Sequence, residues 1–295
     1  MKKEPIRHHY IPQFILRNFA YDDDRRLARF CNKESQSISI CEISEIFMER
    51  HLYRDEINHA DAPTQIEFDL SVYEGEVARL IKSKFLHERK IELSAEEDRT
   101  LKLFFAIMPF RSATTKEKFR EKMTEDSIDF YKYYQKNEDF EDFWKRNLGL
   151  LVKCRSLKDV ENHPEIDPPI KRFMMRDTFG VIGKYFVVAE AREGDGFILG
   201  DCYPLVFTAD LLRLPLYDVF PISPKRAIIM VSKGVDLVHP EVLTLRRGVF
   251  DLPEIKENGA SVIVTKRLHL DEVQFLNREM ARHAQKGFVF LNTNN

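Results

Sequence analysis

The sequence predicts an α+β fold, with a helix-rich first half packed against a mostly antiparallel or mixed β-sheet in the second half. Three observations carry that expectation. Apolar residues recur at helical spacing through Ile66, Leu70, Tyr73, Val77, Leu80 and Ile81, and again through Leu101, Phe104, Phe105 and Met108. From Tyr185 onward they come instead in short runs punctuated by Gly and Pro, the pattern of strands. Between the two lies a polar stretch from Ser156 to Pro169, with three prolines and no periodicity, the best candidate for a boundary. Two regions follow, 1–155 and 170–295, and the same pattern fits one interwoven domain.

Taken in order, Pro12 suits the first turn of a helix, where its missing N–H costs nothing, and Ile15, Leu16 and Phe19 give that helix (12–20) an apolar face. Asp22-Asp23-Asp24 reads as a turn. Leu27–Cys31 and Ser37–Cys41 read as the strands of a hairpin. Pro63-Thr64 opens a helix over 63–86. Ser94 and Glu97 form a capping-box pattern for the next helix, which Pro109 should kink or end. A charged, Tyr-rich helical stretch runs to about 136, and Phe140–Trp144 begins another helix. Strands are expected at 185–189, 196–200, 205–207, 216–220, 227–231 and 261–264, then a helix over 270–285 and a closing strand at 288–291.

Composition excludes several classes. The 46 basic and 48 acidic side chains leave a net charge of −2, against a protein that coats nucleic acid through a basic excess; a local basic cleft remains compatible. No apolar run is long enough to span a bilayer, so no membrane partner is expected. Met1–Pro5 lacks the apolar core of a secretory signal, and Cys31, Cys41, Cys154 and Cys202 show no paired spacing. A cytoplasmic protein with buried thiols is the expectation. The 23 phenylalanines point to an aromatic core rather than to stacked bases.

Chemistry concentrates in few places. His8 and His9 precede the 12–20 helix, whose N-terminus favours neutral imidazole, the form of a metal ligand or general base. Adjacent residues diverge in direction, so only one of the pair should face a site, and His9 is favoured. The alternative is a structural pair that packs the helix. Glu67 and Glu74 share a helix face about 10 Å apart, as a site or as a solvated flank, and Gly75 beside them suggests close approach of another segment. Arg111, after Pro109, could clamp a phosphate or pair with a helix acid. Asp201 follows an apolar run at the Gly200-Asp201 turn, a position for a metal ligand or for a turn-forming side chain. Cys202 has no identifiable histidine partner and makes a poor nucleophile candidate. P-loop, GxGxxG, HExxH, GxSxG and HNH-type spacings are absent, so no nucleotide cofactor is implied.

The opening His8-His9-Tyr10-Ile11-Pro12-Gln13-Phe14, with Leu16, Asn18 and Phe19, resembles the HHYxPQFxLRNF opening of the DUF4238 family of bacterial proteins. Glu74 and Arg111 fall where that family carries a glutamate and an arginine. Phe197–Pro204 resembles its FxxSDxPV element, Phe220–Pro224 its PLSP strand, and Asn277 with Ala284–Phe290 its tail. Gly200 stands where the usual residue is Ser, and Cys202-Tyr203 where an Asn-containing turn is usual. The resemblance implies that the scattered polar positions belong to one shared site and gives no reaction.

Two functions follow as expectations. The first is a metal-assisted hydrolase of phosphodiesters, a nuclease or toxin-like effector in bacterial defence acting on nucleic acid or nucleotides. Catalysis would fall to His9, Glu74, Arg111 and Asp201, with His9 and Asp201 holding Mg²⁺ or Mn²⁺, Arg111 steadying the phosphate, and His8, Gln13, Asn18 and Asn277 contacting the ligand. The second is a non-enzymatic ligand-sensing or protein-interaction module, in which the same residues lock the helical and β-rich halves together. Convergence in an open cleft would favour the first, convergence in a closed core the second.

Overall fold

A computed structural model describes residues 6–112, 116, 117, 120, 139–176, 184–192, 196–209 and 214–291. The first half contains β1 (Arg7–His9), α1 (Gln13–Leu16), β2 (Leu27–Asn32), β3 (Ile38–Glu42), β4 (Met48–Arg50), α2 (Gln65–Leu80), β5 (Lys90–Leu93), α3 (Ala95–Ile107) and α4 (Phe140–Leu151). Then come α5 (Leu157–Asn162), α6 (Pro168–Arg176), β6 (Tyr185–Glu190), β7 (Leu199–Gly200), β8 (Leu205–Ala209), β9 (Leu214–Pro221) and β10 (Arg226–Val231). The chain closes with β11 (Glu254–Ile255), β12 (Ser261–Val264), β13 (Lys266–Arg267), α7 (Leu270–His283) and β14 (Gly287–Phe290). The class is α+β.

Local chemistry accounts for the helix ends. The Ser94 hydroxyl accepts the Glu97 N–H at 3.2 Å and the Glu97 carboxylate accepts the Ser94 N–H at 2.8 Å, the reciprocal cap read from the sequence. α3 stops at Ile107, and Pro109, which has no N–H to donate, turns the chain into a tighter 3₁₀ segment, Met108–Arg111. That tightening swings Arg111 into the interior. The Trp144 indole N–H donates to the Phe110 carbonyl at 3.1 Å and its ring stacks on Phe110, fixing the segment against α4. The charged stretch expected to about 136 lies, apart from Lys116, Glu117 and Arg120, outside the described residues.

The largest sheet runs β13-β6-β10-β9-β8, antiparallel except for the β13–β6 pair. It is the middle of three layers. Phe186 and Val188 of β6 and Ile228 and Met230 of β10 face the helical side, where the Phe105 ring of α3 lies 4.1 Å from that of Phe220. The alternate residues Val187, Ala189, Ala227, Ile229 and Val231 join Val273, Leu276 and Met280 of α7 on the other face. Both faces are therefore covered, which explains why β10 reads as a continuous apolar run.

The remaining sheets are β3-β2-β14-β7, β11-β12-β5 and the pair β1-β4. Two of them draw strands from both halves of the chain: β2 pairs with β14, and β5 with β12. The polar stretch 156–169 is built into the same body. Ser156 caps α5 by accepting the Asp159 N–H at 3.1 Å, and Leu157, Val160 and Ile166 are buried in the core shared with α2 and α3. Of the strand expected at 196–200 only Leu199 and Gly200 pair, because the Ile198 N–H donates to the Asn277 side chain and the Phe197 N–H to the Pro224 carbonyl.

Candidate functional site

His8 and His9 lie on β1, not at a helix start, with His8 opposite Glu49 and His9 opposite Met48. Strand alternation sends their rings to opposite sides. The His8 ring is fully buried, stacks on Tyr53 at 5.4 Å, and accepts the Tyr53 N–H on Nδ1 at 2.8 Å. His9 has Nε2 3.2 Å from the Ile43 carbonyl and Nδ1 3.2 Å from the Gln13 amide nitrogen. One tautomer satisfies both: Nε2–H donates to Ile43, and Nδ1 accepts from Gln13. Burial holds the ring neutral down to about 4, with the Arg111, Arg7 and Arg17 charges adding to it and the Ile43 bond opposing. Neutrality was expected from a helix N-terminus; burial supplies it instead.

The residue around which this cluster closes is Arg111, 2% exposed. Its Nη1 stands 2.5 Å from Glu74 Oε1, and its Nη2 donates to the His9 carbonyl at 2.7 Å. Its Nε reaches the Tyr53 hydroxyl at 3.4 Å, and that hydroxyl donates to the Arg111 carbonyl at 3.0 Å. Burial works against the guanidinium charge, but Glu74, Tyr53 and Glu67 outweigh it and hold Arg111 above its ordinary pKa. Glu67, two turns before Glu74 on the same face of α2, is lifted to about 7 by burial, with Arg111 opposing and Glu74 adding to the rise. Its Oε2 is buried without a hydrogen-bond partner. The cavity beside Arg111, lined by Tyr53, Phe110, Ser112, Lys116, Trp144 and Lys145, holds about 10 Å³, room for one water.

His8, His9, Gln13, Glu74 and Arg111 thus converge. Tyr53, which joins them, was not singled out from the sequence, and Glu67 was weighed there but left out of the site.

The other expected site residues bond elsewhere. Asp201 accepts the Gln285 N–H at 2.7 Å and the Lys286 N–H at 2.6 Å, pinning the turn between α7 and β14. Burial raises its pKa, and those two N–H groups oppose the rise. Asn18 donates to the Ile222 carbonyl at 2.8 Å and accepts from Arg25. Asn277 donates to the Gly196 carbonyl at 2.7 Å and accepts the Ile198 N–H at 3.0 Å. His9 and Asp201, expected to share a metal, hydrogen-bond to different partners: His9 to Ile43 and Gln13, Asp201 to the Gln285 and Lys286 N–H groups. Among the described residues, no group of three or more His, Cys, Asp or Glu is placed to hold a metal. The close approach expected at Gly75 is not found: among the described residues, a Cβ there would meet nothing within 4 Å.

Two buried cations, Lys184 and Arg226, carry no signal in the sequence; Lys184 pairs with Asp218 at 2.7 Å. Arg226 donates to the Phe85 and His87 carbonyls, both at 3.1 Å, and pairs with Glu190 at 2.8 Å. No periodic or motif signal marks Arg226, since its acceptors, backbone carbonyls and the Glu190 carboxylate among them, lie far along the chain.

Fold and cluster together define an α+β protein whose signature polar side chains tie distant segments of one body. The chain belongs to the family described as "Protein of unknown function (DUF4238)", whose model matches residues 7–295. No curated protein and no solved structure matches it. Among the described residues, no helix is long and apolar enough to cross a membrane.

Proposed function

We propose that the chain is a non-enzymatic ligand-sensing or protein-interaction module whose signature residues hold the N-terminal segment against the helical layer. The internal hydrogen bonds of His9 and Asp201 support this reading. Both ring nitrogens of His9 are spent on internal hydrogen bonds, and each carboxylate oxygen of Asp201 accepts a backbone N–H. A general base or metal ligand needs an uncommitted lone pair beside a space that can seat substrate, and the cavity at Arg111 admits about one water. We take the setting to be cytoplasmic, in keeping with four unbridged cysteines.

The test combines stability with turnover. His9→Ala leaves the Ile43 carbonyl and Gln13 amide without their partner, and is expected to lower the melting temperature by roughly 3–8 °C. Asp201→Ala, which strands two N–H groups, should do the same. Purified protein is expected to leave single- and double-stranded DNA and RNA intact with Mg²⁺ or Mn²⁺.

One observation favours a second reading, a metal-assisted hydrolase of phosphodiesters with a nucleic acid or nucleotide as substrate. Glu67, lifted to about 7 next to Glu74 and Arg111, has the profile of a general acid poised at neutral pH. With Glu67 keeping its proton as the acid, the carboxylate left for Mg²⁺ or Mn²⁺ in that reading is Glu74. Cleavage that disappears in a folded Glu67→Gln or Glu74→Gln protein would establish it and remove the first reading.

A further inference from the structure

The strand β3 forms one edge of the sheet β3-β2-β14-β7, and β2 is its single neighbour among the described residues. Soluble proteins blunt such edges with Lys, Pro, bulges or a covering loop. β3 carries none of the first three. Its sequence from Ser37 is Ser-Ile-Ser-Ile-Cys-Glu, with Glu42 as its single charge at the far end. Ile38 and Ile40 share one face, and they are 65% and 58% exposed. The half-buried Phe288 and Phe290 of β14 extend that face inward across β2.

The hydrogen-bond phase decides what the edge can accept. The Asn32 N–H donates to the Ser37 carbonyl at 3.0 Å and the Ile43 N–H to the Arg26 carbonyl at 2.8 Å, which sets the alternation along the β2–β3 ladder. Ser39 and Cys41 therefore bond inward to Phe30 and Ala28. Ile38 and Ile40 direct their N–H and C=O groups outward. The same two residues thus present exposed apolar side chains and backbone groups that no described residue pairs.

We propose that β3 is a homodimerisation strand, along which two copies of the chain pair antiparallel about a two-fold axis through Ser39. In that register Ile38 faces the partner's Ile40, and Ile40 faces the partner's Ile38. Both are hydrogen-bonded pairs, so the outward N–H and C=O groups all find partners. Ser39 meets its own copy, Ser37 meets the partner's Cys41, and Gln36 meets the partner's Glu42, so no like charges are opposed. A shift of one residue would set inward-bonded groups against outward ones. A shift of two one way would bring the Glu42 carboxylate onto the partner's Ile38, and the other way would set Ile40 against the partner's Gln36, whose φ of 54° ends the extended strand. The near-palindromic Ser-Ile-Ser-Ile pattern thus selects one self-complementary register, as an isologous interface requires. This inference stands independently of the function proposed above.

Sedimentation velocity on the full chain over a range of concentrations tests it. The wild-type protein is expected to form dimers. Ile40→Pro removes an outward N–H that the chain itself does not use, a position where edge strands tolerate proline. It should weaken the dimer by at least about tenfold. Ile38→Lys, exposed in the monomer and facing apolar side chains across the axis, should do likewise with an unchanged melting curve. A Ser39→Cys protein should cross-link to itself under mild oxidation far faster than Ser35→Cys, because residues meeting on the axis come within disulfide reach. A wild-type protein that stays monomeric would overturn the proposal and leave the edge to a strand from another protein. A dimer indifferent to Ile40→Pro and Ile38→Lys would overturn it as well.

Discussion

His9 and Glu67 are displaced from ordinary titration in opposite senses, and the pH dependence of each follows. His9 is lowered from 6.5 to about 4, so the unfolded chain binds its proton first. Its contribution is complete above pH 6.5 and is lost as the pH falls toward 4. Glu67 is raised from 4.5 to about 7, so the folded chain holds the extra proton. Its effect is most favourable below pH 4.5 and is lost as the pH rises through 7. The two slopes oppose each other across the shared interval. Glu67→Gln keeps the shape and deletes the titration. By urea denaturation the variant should gain about 1–3 kcal/mol over wild type at pH 8, after discount for partial exposure, and nothing near pH 4. It should also weaken steadily on acidification below 6.5, because the His9 slope then stands uncovered. Equal differences at both pH values would contradict the assignment.

At the scale of elements, the capping box at Ser94, the stop at Pro109 and the hairpin β2–β3 were legible because each depends on residues within a few positions. β1 and β4 were not. Each is three residues long and exists through the other, some 40 positions away, so no local period marks it. β7 fell short of its expected length for a similar reason: Asn277, remote in sequence, takes the N–H a ladder would have used. Gly75 illustrates the reverse error. A mid-helix glycine suggests a close contact, yet a Cβ there meets open space among the described residues. Gly75→Ala is therefore expected to stabilise α2 by about 0.5–1 kcal/mol, read as a rise in melting temperature of a few degrees. A fall would show that α2 is contacted there.

At the scale of the molecule, polar side chains tie distant segments together. Asn18 reaches Ile222, Asp201 reaches Gln285 and Lys286, Arg226 reaches Phe85, and Arg111 reaches His9. The family resemblance pointed to most of these residues, but residue type alone does not distinguish a staple from a ligand. A histidine, an arginine and two carboxylates serve equally to hold a phosphate or to satisfy buried carbonyls and N–H groups. What separates the cases is where the lone pairs are spent, and that depends on contacts between residues tens to hundreds of positions apart. The crossing sheets compound the difficulty, since β14 and β12 complete sheets begun in the first half.

The central claim is that Arg111 and Glu74 form a structural lock. A double-mutant cycle of Arg111→Met and Glu74→Gln, measured by chemical denaturation, tests it most directly. Glu74→Gln leaves the buried guanidinium without its carboxylate and Arg111→Met leaves the half-buried carboxylate without its cation, so the first should lose about 3–5 kcal/mol, the second about 2–4 kcal/mol, and the double variant markedly less than their sum. Single variants within about 0.5 kcal/mol of wild type that nonetheless abolish a cleavage activity would contradict the account and place Arg111 and Glu74 in a catalytic site.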